Sequence, residues 1–250
     1  MNIKKSIKNI FSRSKHKTKV GTLNEATRIS WLEKTLKEIP EGKRILDAGA
    51  GEQQFKKFCS HLNYVSQDFA QYKPEQLDSG LQMGKWDYGN LDIISDIASI
   101  PENDNSFDAI MCTEVFEHII NPREAIKEFS RLLKDDGYLI ITAPFCSLTH
   151  FAPYHFYTGF NKFFYEEELA KNGFTDIVIT ANGNYFEYIA QEVGRLSSVA
   201  KQYSNIQLEK KELDNIEQLK KILQKLSDND TNSSELLCFG LHVKARKKCL

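Results

Sequence analysis

The run Arg44-Ile-Leu-Asp-Ala-Gly-Ala-Gly-Glu52 constrains this chain more than any other stretch. It joins a short apolar run, a carboxylate and two glycines without a break. Ile45 and Leu46 suit a parallel strand buried on both faces. Gly49 and Gly51 permit a tight turn and leave room for a ligand to approach the backbone. The apolar spacing Phe55, Phe58, Cys59, Leu62 predicts a helix packed on the sheet directly after the loop. A strand, glycine turn and helix in this order put a ligand across the carboxyl end of the strand.

A Gly-x-Gly turn alone does not say what is bound, and the acidic residues downstream narrow the choice. Asn63-Tyr-Val-Ser-Gln-Asp68 reads as a second strand ending in a carboxylate at the distance from the glycine loop where a ribose is held by its two hydroxyls. A dinucleotide loop places a third glycine after Gly-x-Gly-x-x so that a helix amino end can face a pyrophosphate; this chain has Gln54 there. Asp47, just before the first glycine, is an awkward neighbour for a diphosphate and a tolerable one for a cationic ligand. Asp96, ending a third short strand that begins near Leu91, is suited to accept from an adenine amino group while Ile97 packs on the ring. Phe107 to Cys112 makes a fourth strand.

With these residues in view, the chain resembles the class I S-adenosylmethionine-dependent methyltransferases, the broad group that includes small-molecule and quinone O-methyltransferases. The resemblance covers roughly Trp31 to Phe174. It rests on Asp47-Ala-Gly-Ala-Gly51, Asp68, Asp96-Ile97, Cys112-Thr-Glu-Val-Phe-Glu-His118 with Asn121-Pro122, and Leu132-Leu-Lys-Asp-Asp-Gly-Tyr-Leu-Ile-Ile-Thr-Ala-Pro144. It implies S-adenosylmethionine as cofactor, contacted by Asp47, Gly49, Ala50, Gly51, Asp68, Phe69, Asp96, Ile97, Thr113 and Glu114. Many members carry a third glycine two residues after Gly51, where this chain has Gln53. The implied fold is α/β: a Rossmann-like three-layer sandwich with a mostly parallel seven-stranded sheet and a helical insertion before the last strand.

Charge and composition exclude some partners. Lys and Arg number 33 against 34 Asp and Glu, a formal net charge of -1, so no global field favours nucleic acid. Cys59, Cys112, Cys146, Cys238 and Cys249 show no Cys-x-x-Cys pair, and no signal peptide is recognised, which suits reduced thiols in a cytoplasmic protein. Residues 1–20 form a basic arm in which Ile3, Ile7, Ile10 and Phe11 recur at helical spacing among lysines and Arg13. That pattern fits peripheral contact with an anionic membrane face, and equally a solvated tail or a helix packed on a partner.

The organisation expected is therefore an arm over 1–20, a methyltransferase domain over 21–182 and 235–247, and a helical insertion with linker over 183–234. Leu23 to Ile39 reads as a helix with Trp31, Leu32, Leu36 and Ile39 inward, ended by Pro40-Glu-Gly42. The long connection Gln71 to Asn90, with Tyr72, Trp86 and Tyr88, reads either as a binding lid or as a surface excursion anchored by its aromatics. Tyr138 to Ala143 is a fifth strand, Thr175 to Thr180 a sixth and Leu236 to Lys244 a seventh, antiparallel. Tyr185 to Leu226 is helical, with the stripe Leu208, Leu213, Ile216, Leu219, Leu223 and Leu226, expected to cover the substrate pocket, to make a dimer contact or to pack as core; Ser227 to Ser234 is a polar linker.

Glu114 to Leu133 reads as a helix with a break or new start near Asn121-Pro122, which would put Glu114, Glu117 and His118 on one face. In some quinone O-methyltransferases that this chain resembles, the matching Glu, Glu and His bind a divalent metal. A structural or cofactor-side role for Glu117 and His118 is the expectation here, with no metal among the expected cofactors. The loop Phe145 to Tyr165 carries Tyr154, Tyr157 and the catalytic candidates His155 and His150, and leads into a helix, Glu166 to Phe174, that ends in Asn-Gly-Phe. By the resemblance this loop borders the methyl-transfer site, and imidazole titrates in the range suited to taking a hydroxyl proton.

The function expected is methyl transfer from S-adenosylmethionine to a small-molecule, sugar or glycan, or lipid-linked acceptor, with O-methylation leading. Two rivals stand beside it: a NAD-dependent oxidoreductase and a non-catalytic cofactor-binding or scaffold protein.

Overall fold

The computed structural model describes residues 18–73 and 86–249. The basic arm, apart from residues 18–20, and the middle of the Gln71–Asn90 connection lie outside the described residues. Seven strands form one sheet: β1 (Arg44–Ala48), β2 (Asn63–Asp68), β3 (Ile93–Ile94), β4 (Phe107–Thr113), β5 (Leu133–Pro144), β6 (Phe174–Asn182) and β7 (Gly240–Lys247). Their order is β3-β2-β1-β4-β5-β7-β6. The first five run parallel, and β7 is antiparallel to both β5 and β6. Strand order reverses between β1 and β4, which opens a crevice above their carboxyl ends.

Successive side chains of a strand point to opposite faces, and the buried residues divide accordingly. Ile45, Ala109, Met111 and Ile140 pack with Leu32, Leu36 and Ile39 from α1 (Asn24–Lys37) and its exit turn. Leu46, Ile110, Cys112, Leu139 and Ile141 pack on the other face with Ala125, Ile126, Phe129 and Leu132 of α2 (Pro122–Leu132), and with Tyr165 and Leu169 of α3 (Lys162–Lys171). Burial on both faces explains the apolar stretches Ile45–Leu46 in β1 and Ala109–Cys112 in β4.

Several sequence expectations are corrected. After the glycine loop there is no α-helix but turns and a single 3-10 turn at Lys56–Phe58, with Phe55, Cys59 and Leu62 still buried against α1. Only residues 52–62 are available to return along the length of β1. An α-helix rises about 1.5 Å per residue against about 2.0 Å for a 3-10 path, and would leave nothing for the two connections. The helix expected over Glu114 to Leu133 begins only at Pro122, because the residue before a proline is disfavoured in the α region. Ahead of it, Glu114 has φ +54° and Phe116–His118 form a separate 3-10 turn, so Glu114, Glu117 and His118 do not share a helix face.

Other boundaries move by a few residues. The third strand is only Ile93–Ile94, and Asp96 lies past its end. α3 starts earlier than expected, at Lys162, where the Asn161 side chain accepts from the Phe164 N–H. The last strand starts at Gly240; Leu236, assigned to it from sequence, is 70% exposed just after the short 3-10 turn Ser233–Glu235.

Between β6 and β7 run α4 (Tyr185–Tyr203) and α5 (Lys210–Asp228), which pack against each other. Val20 is fully buried between them, against Ala190 and Leu223. Of the leucine stripe, Leu223 is buried while Leu213, Leu219 and Leu226 are exposed. No residue of α4 or α5 lines the main cavity described below. Among the described residues no helix is long and apolar enough to cross a membrane.

Candidate active site

Above the carboxyl ends of β1, β2 and β4 lies a cavity of about 960 Å³. All ten residues that the sequence marks for cofactor contact line it: Asp47, Gly49, Ala50, Gly51, Asp68, Phe69, Asp96, Ile97, Thr113 and Glu114. His150 also lines it. His155 does not; its Nε2 sits 3.2 Å from Ser147 Oγ, and its ring lies behind His150 at 4.9 Å between centroids.

The glycine loop is built by backbone hydrogen bonds. The N–H groups of Gly49 and Ala50 donate to the Gln67 carbonyl at 2.9 and 2.8 Å, which lays the loop across the end of β2. Gly49 has φ +80°, and a Cβ there would fall 2.5 Å from Val115 Cγ2. A side chain at this position meets both a strained backbone and an occupied space. Gln53, at the place of the family's third glycine, itself takes φ +56°, and its amide donates to the carbonyls of Tyr88 at 3.0 Å and Asn90 at 2.8 Å. It thus holds the far end of the long connection against the loop, a role that its replacement of a glycine did not signal.

Three acids face the cavity from successive strand ends. Asp68 accepts from the Gly51 N–H at 2.9 Å and the Ala70 N–H at 3.0 Å, while burial raises its pKa. Asp47 is 2% exposed and accepts from the Tyr64 hydroxyl at 2.6 Å. Burial lifts its carboxyl to about 7, opposed by the Tyr64 hydrogen bond and reinforced by the charge of Asp68. Asp96 accepts from the Ala98 N–H, closing a turn beside Ile97. The loop that follows is pinned from behind: Glu128 accepts from the Ile100 N–H at 2.7 Å, and Arg131 donates to the carbonyls of Ile100 and Glu102.

Glu114 turns away from the 3-10 turn. Its carboxylate accepts from Arg28 of α1 at 3.0 Å and from the Thr142 hydroxyl of β5 at 2.9 Å. Arg28 and Gln67 both line the cavity and escaped the sequence reading. The side chain of Arg28 lies on a helix where only the apolar face carried a pattern.

At the other end of the cavity stand Glu117, His118 and His150, whose donor atoms all lie within 4.8 Å of one another. Glu117 is 1% exposed, and burial, then the charge of Glu114, holds its pKa well above the usual carboxylate range. Burial pushes His118 down to about 3. His155 is also lowered by burial. Aromatic rings roof this end: Phe151 packs on Tyr72 at 4.4 Å and Trp86 at 5.1 Å, and Tyr154 meets Phe69 edge-on at 5.0 Å. Tyr72 and Trp86, read from sequence as parts of a lid or as surface anchors, are thus on the cavity wall.

A family model described as a methyltransferase domain matches residues 24–225. The chain belongs to that family. Its fold is the one shared by class I S-adenosylmethionine-dependent methyltransferases, as the glycine loop and strand-end acids had suggested. The ubiquinone biosynthesis O-methyltransferase of Xanthomonas axonopodis pv. citri is 32% identical over 113 residues, 41% of this chain and 44% of that protein. The chain thus matches less than half the length of that relative. A methyltransferase of Archaeoglobus fulgidus superimposes with a TM-score of 0.54 at 17% identity, covering 90% of this chain and 94% of that one. Phosphoethanolamine N-methyltransferase 2 of Haemonchus contortus, solved with S-adenosylmethionine, gives 0.51 at 19% identity over 89% of this chain and 53% of that one.

Proposed function

We propose that the protein transfers the methyl group of S-adenosylmethionine to an oxygen of a small-molecule, sugar or lipid-linked acceptor. One observation carries the reading: a single cavity joins the three strand-end acids to an end built of histidines and aromatic rings. The acid end suits the cofactor. Asp68 has acceptor capacity for the ribose hydroxyls beyond the two N–H groups it already receives, and Asp96 with Ile97 suits the adenine. Asp47, a desolvated carboxylate, is stabilised by a cation placed beside it, and a dinucleotide would bring a diphosphate instead.

Bound there, S-adenosylmethionine supplies an electrophilic methyl on a positively charged sulfur. The protein's contribution is then mostly position. Gly49 and Gly51 admit the ligand against the backbone, Arg28 fixes Glu114 at the cavity wall, and the roof of Tyr72, Trp86 and Phe151 excludes water. The acceptor hydroxyl faces the Glu117, His118 and His150 end, where its proton must leave. Lipid-linked acceptors belong in the range because Ile3, Ile7, Ile10 and Phe11 lie among basic residues in the arm, and the names of the quinone relatives point to small aromatic acceptors.

The test is calorimetry with S-adenosylmethionine, S-adenosylhomocysteine and NAD, followed by release of S-adenosylhomocysteine against a panel of catechols, quinols, sugars and lipid-linked hydroxyls. Acceptor-dependent release supports the reading. Binding of NAD in preference to the adenosyl ligands overturns it in favour of an oxidoreductase. Cofactor binding without transfer to any member overturns it in favour of a scaffold.

A further inference from the structure

We propose that Glu117, His118 and His150 bind a divalent first-row transition ion at the acceptor end of the cavity. The argument starts from where their protons are. His118 Nδ1 lies 2.6 Å from the Tyr154 carbonyl oxygen, and His150 Nδ1 lies 2.8 Å from that of Leu148. A carbonyl oxygen only accepts, so each Nδ1 carries the hydrogen, and Nε2 of each neutral ring is a bare lone pair. Both Nε2 atoms are directed at the same oxygen, Glu117 Oε1, at 3.7 Å from His118 and 3.9 Å from His150. These separations are too long for a shared proton. The other oxygen, Oε2, is buried and has no partner.

Two bare imidazole lone pairs and a buried carboxyl therefore converge within 4.8 Å, and a cation between them would take the place of the proton that burial keeps on Glu117. The carbonyl bonds to both Nδ1 atoms orient the rings in the way that outer partners orient metal-bound histidines. Ligand bonds of about 2.0–2.2 Å would require the three donor atoms, now within 4.8 Å of one another, to draw closer around the ion. Two imidazoles and one carboxylate select a borderline transition ion over Mg²⁺ or Ca²⁺, and leave positions open toward the cavity. Glu114 is not in the set, since Arg28 and Thr142 already engage both of its oxygens. His155 stands behind His150 on Ser147 and is not in the set either.

The role of the ion rests on the methyl-transfer reading: an acceptor hydroxyl taking an open position would be oriented toward the methyl and made more acidic, so that its proton leaves to solvent as the new C–O bond forms and the C–S bond breaks. Binding of the ion does not rest on that reading. The test uses the full-length chain, free of any histidine tag and stripped with a chelator, titrated with Co²⁺ by calorimetry and by visible ligand-field absorption. One Co²⁺ per chain is expected, with the absorption of a low-coordinate nitrogen and oxygen site.

His150→Ala, on a surface loop, should weaken Co²⁺ binding by at least about a hundredfold, and Glu117→Gln should do the same where circular dichroism shows it folded. Absence of the absorption in the wild type, or Co²⁺ affinity unchanged by His150→Ala, overturns the site. S-adenosylmethionine affinity, measured on the same stripped protein, separates the two readings: its absence while Co²⁺ binds sinks the methyl-transfer role and leaves the metal site standing.

Discussion

Asp47 ties cofactor binding to pH in a way that can be worked through before any assay is run. Its carboxyl is held at about 7 by burial, against an ordinary value of 3.8. In the ligand-free protein the proton is therefore kept until near neutrality, whereas in the unfolded chain it is lost near pH 4. The folded state binds more protons than the unfolded state between those limits, so this group's contribution to stability falls as pH rises through that window. A cation bound beside Asp47 reverses its preference and requires the proton to leave. If the complex holds Asp47 ionised, the apparent affinity carries a factor of 1 + 10^(pKa − pH). That factor is about 11 at pH 6 and close to 1 at pH 8, a difference of about 1.4 kcal/mol. S-adenosylmethionine should thus bind about tenfold more weakly at pH 6 than at pH 8, and should release nearly one proton at pH 6. Calorimetry in buffers of different ionisation enthalpy reads both quantities. Asp68, also raised by burial, and the ligand's own ammonium complicate the raw profile. Asp47→Asn, run in parallel, isolates the Asp47 part, since an amide has no proton to lose. Equal pH profiles for wild type and Asp47→Asn would refute the reasoning.

The remaining predictions concern single side chains. Asp68→Ala should weaken S-adenosylhomocysteine about ten- to a hundredfold in calorimetry, the worth of charge-assisted hydrogen bonds of about 1.5–3 kcal/mol, with the circular dichroism spectrum retained; unchanged affinity would remove Asp68 from the ribose site. Gly49→Val should abolish cofactor binding, because its side chain would meet Val115 and the backbone there has φ +80°; micromolar binding by a folded variant would put the adenosyl site elsewhere. His155→Ala should keep turnover within about tenfold of wild type, since general-base catalysis contributes about a hundredfold or more and His155 is off the cavity wall. A folded His155→Ala variant with turnover lowered beyond a hundredfold would restore it as the base.

The cofactor end of this site was readable from sequence because its chemistry is local. Gly49, Gly51 and Asp68 act through a turn, a close approach and a strand end, and each depends on neighbours within one β-loop-β unit. The acceptor end was read only as a set of candidates, because it is assembled from segments with no common periodicity. His150 reaches His118 from a loop 32 positions further on, and Arg28 reaches Glu114 from α1. Periodicity misled where the backbone leaves the α region: the spacing Glu114, Glu117, His118 describes one helix face only if the segment is helical. With Glu114 at φ +54°, that trio is split between two tasks. Glu114 joins Arg28 and Thr142 beside the strand-end acids, while Glu117 and His118 are carried on the 3-10 turn to meet His150. The backbone at one residue thus decides which ligand set the chain can offer, and Glu114→Gly, which keeps the turn but removes the carboxylate, should abolish the Arg28 contact while Co²⁺ still binds at the histidine end, with the calorimetric titration checking that one site remains.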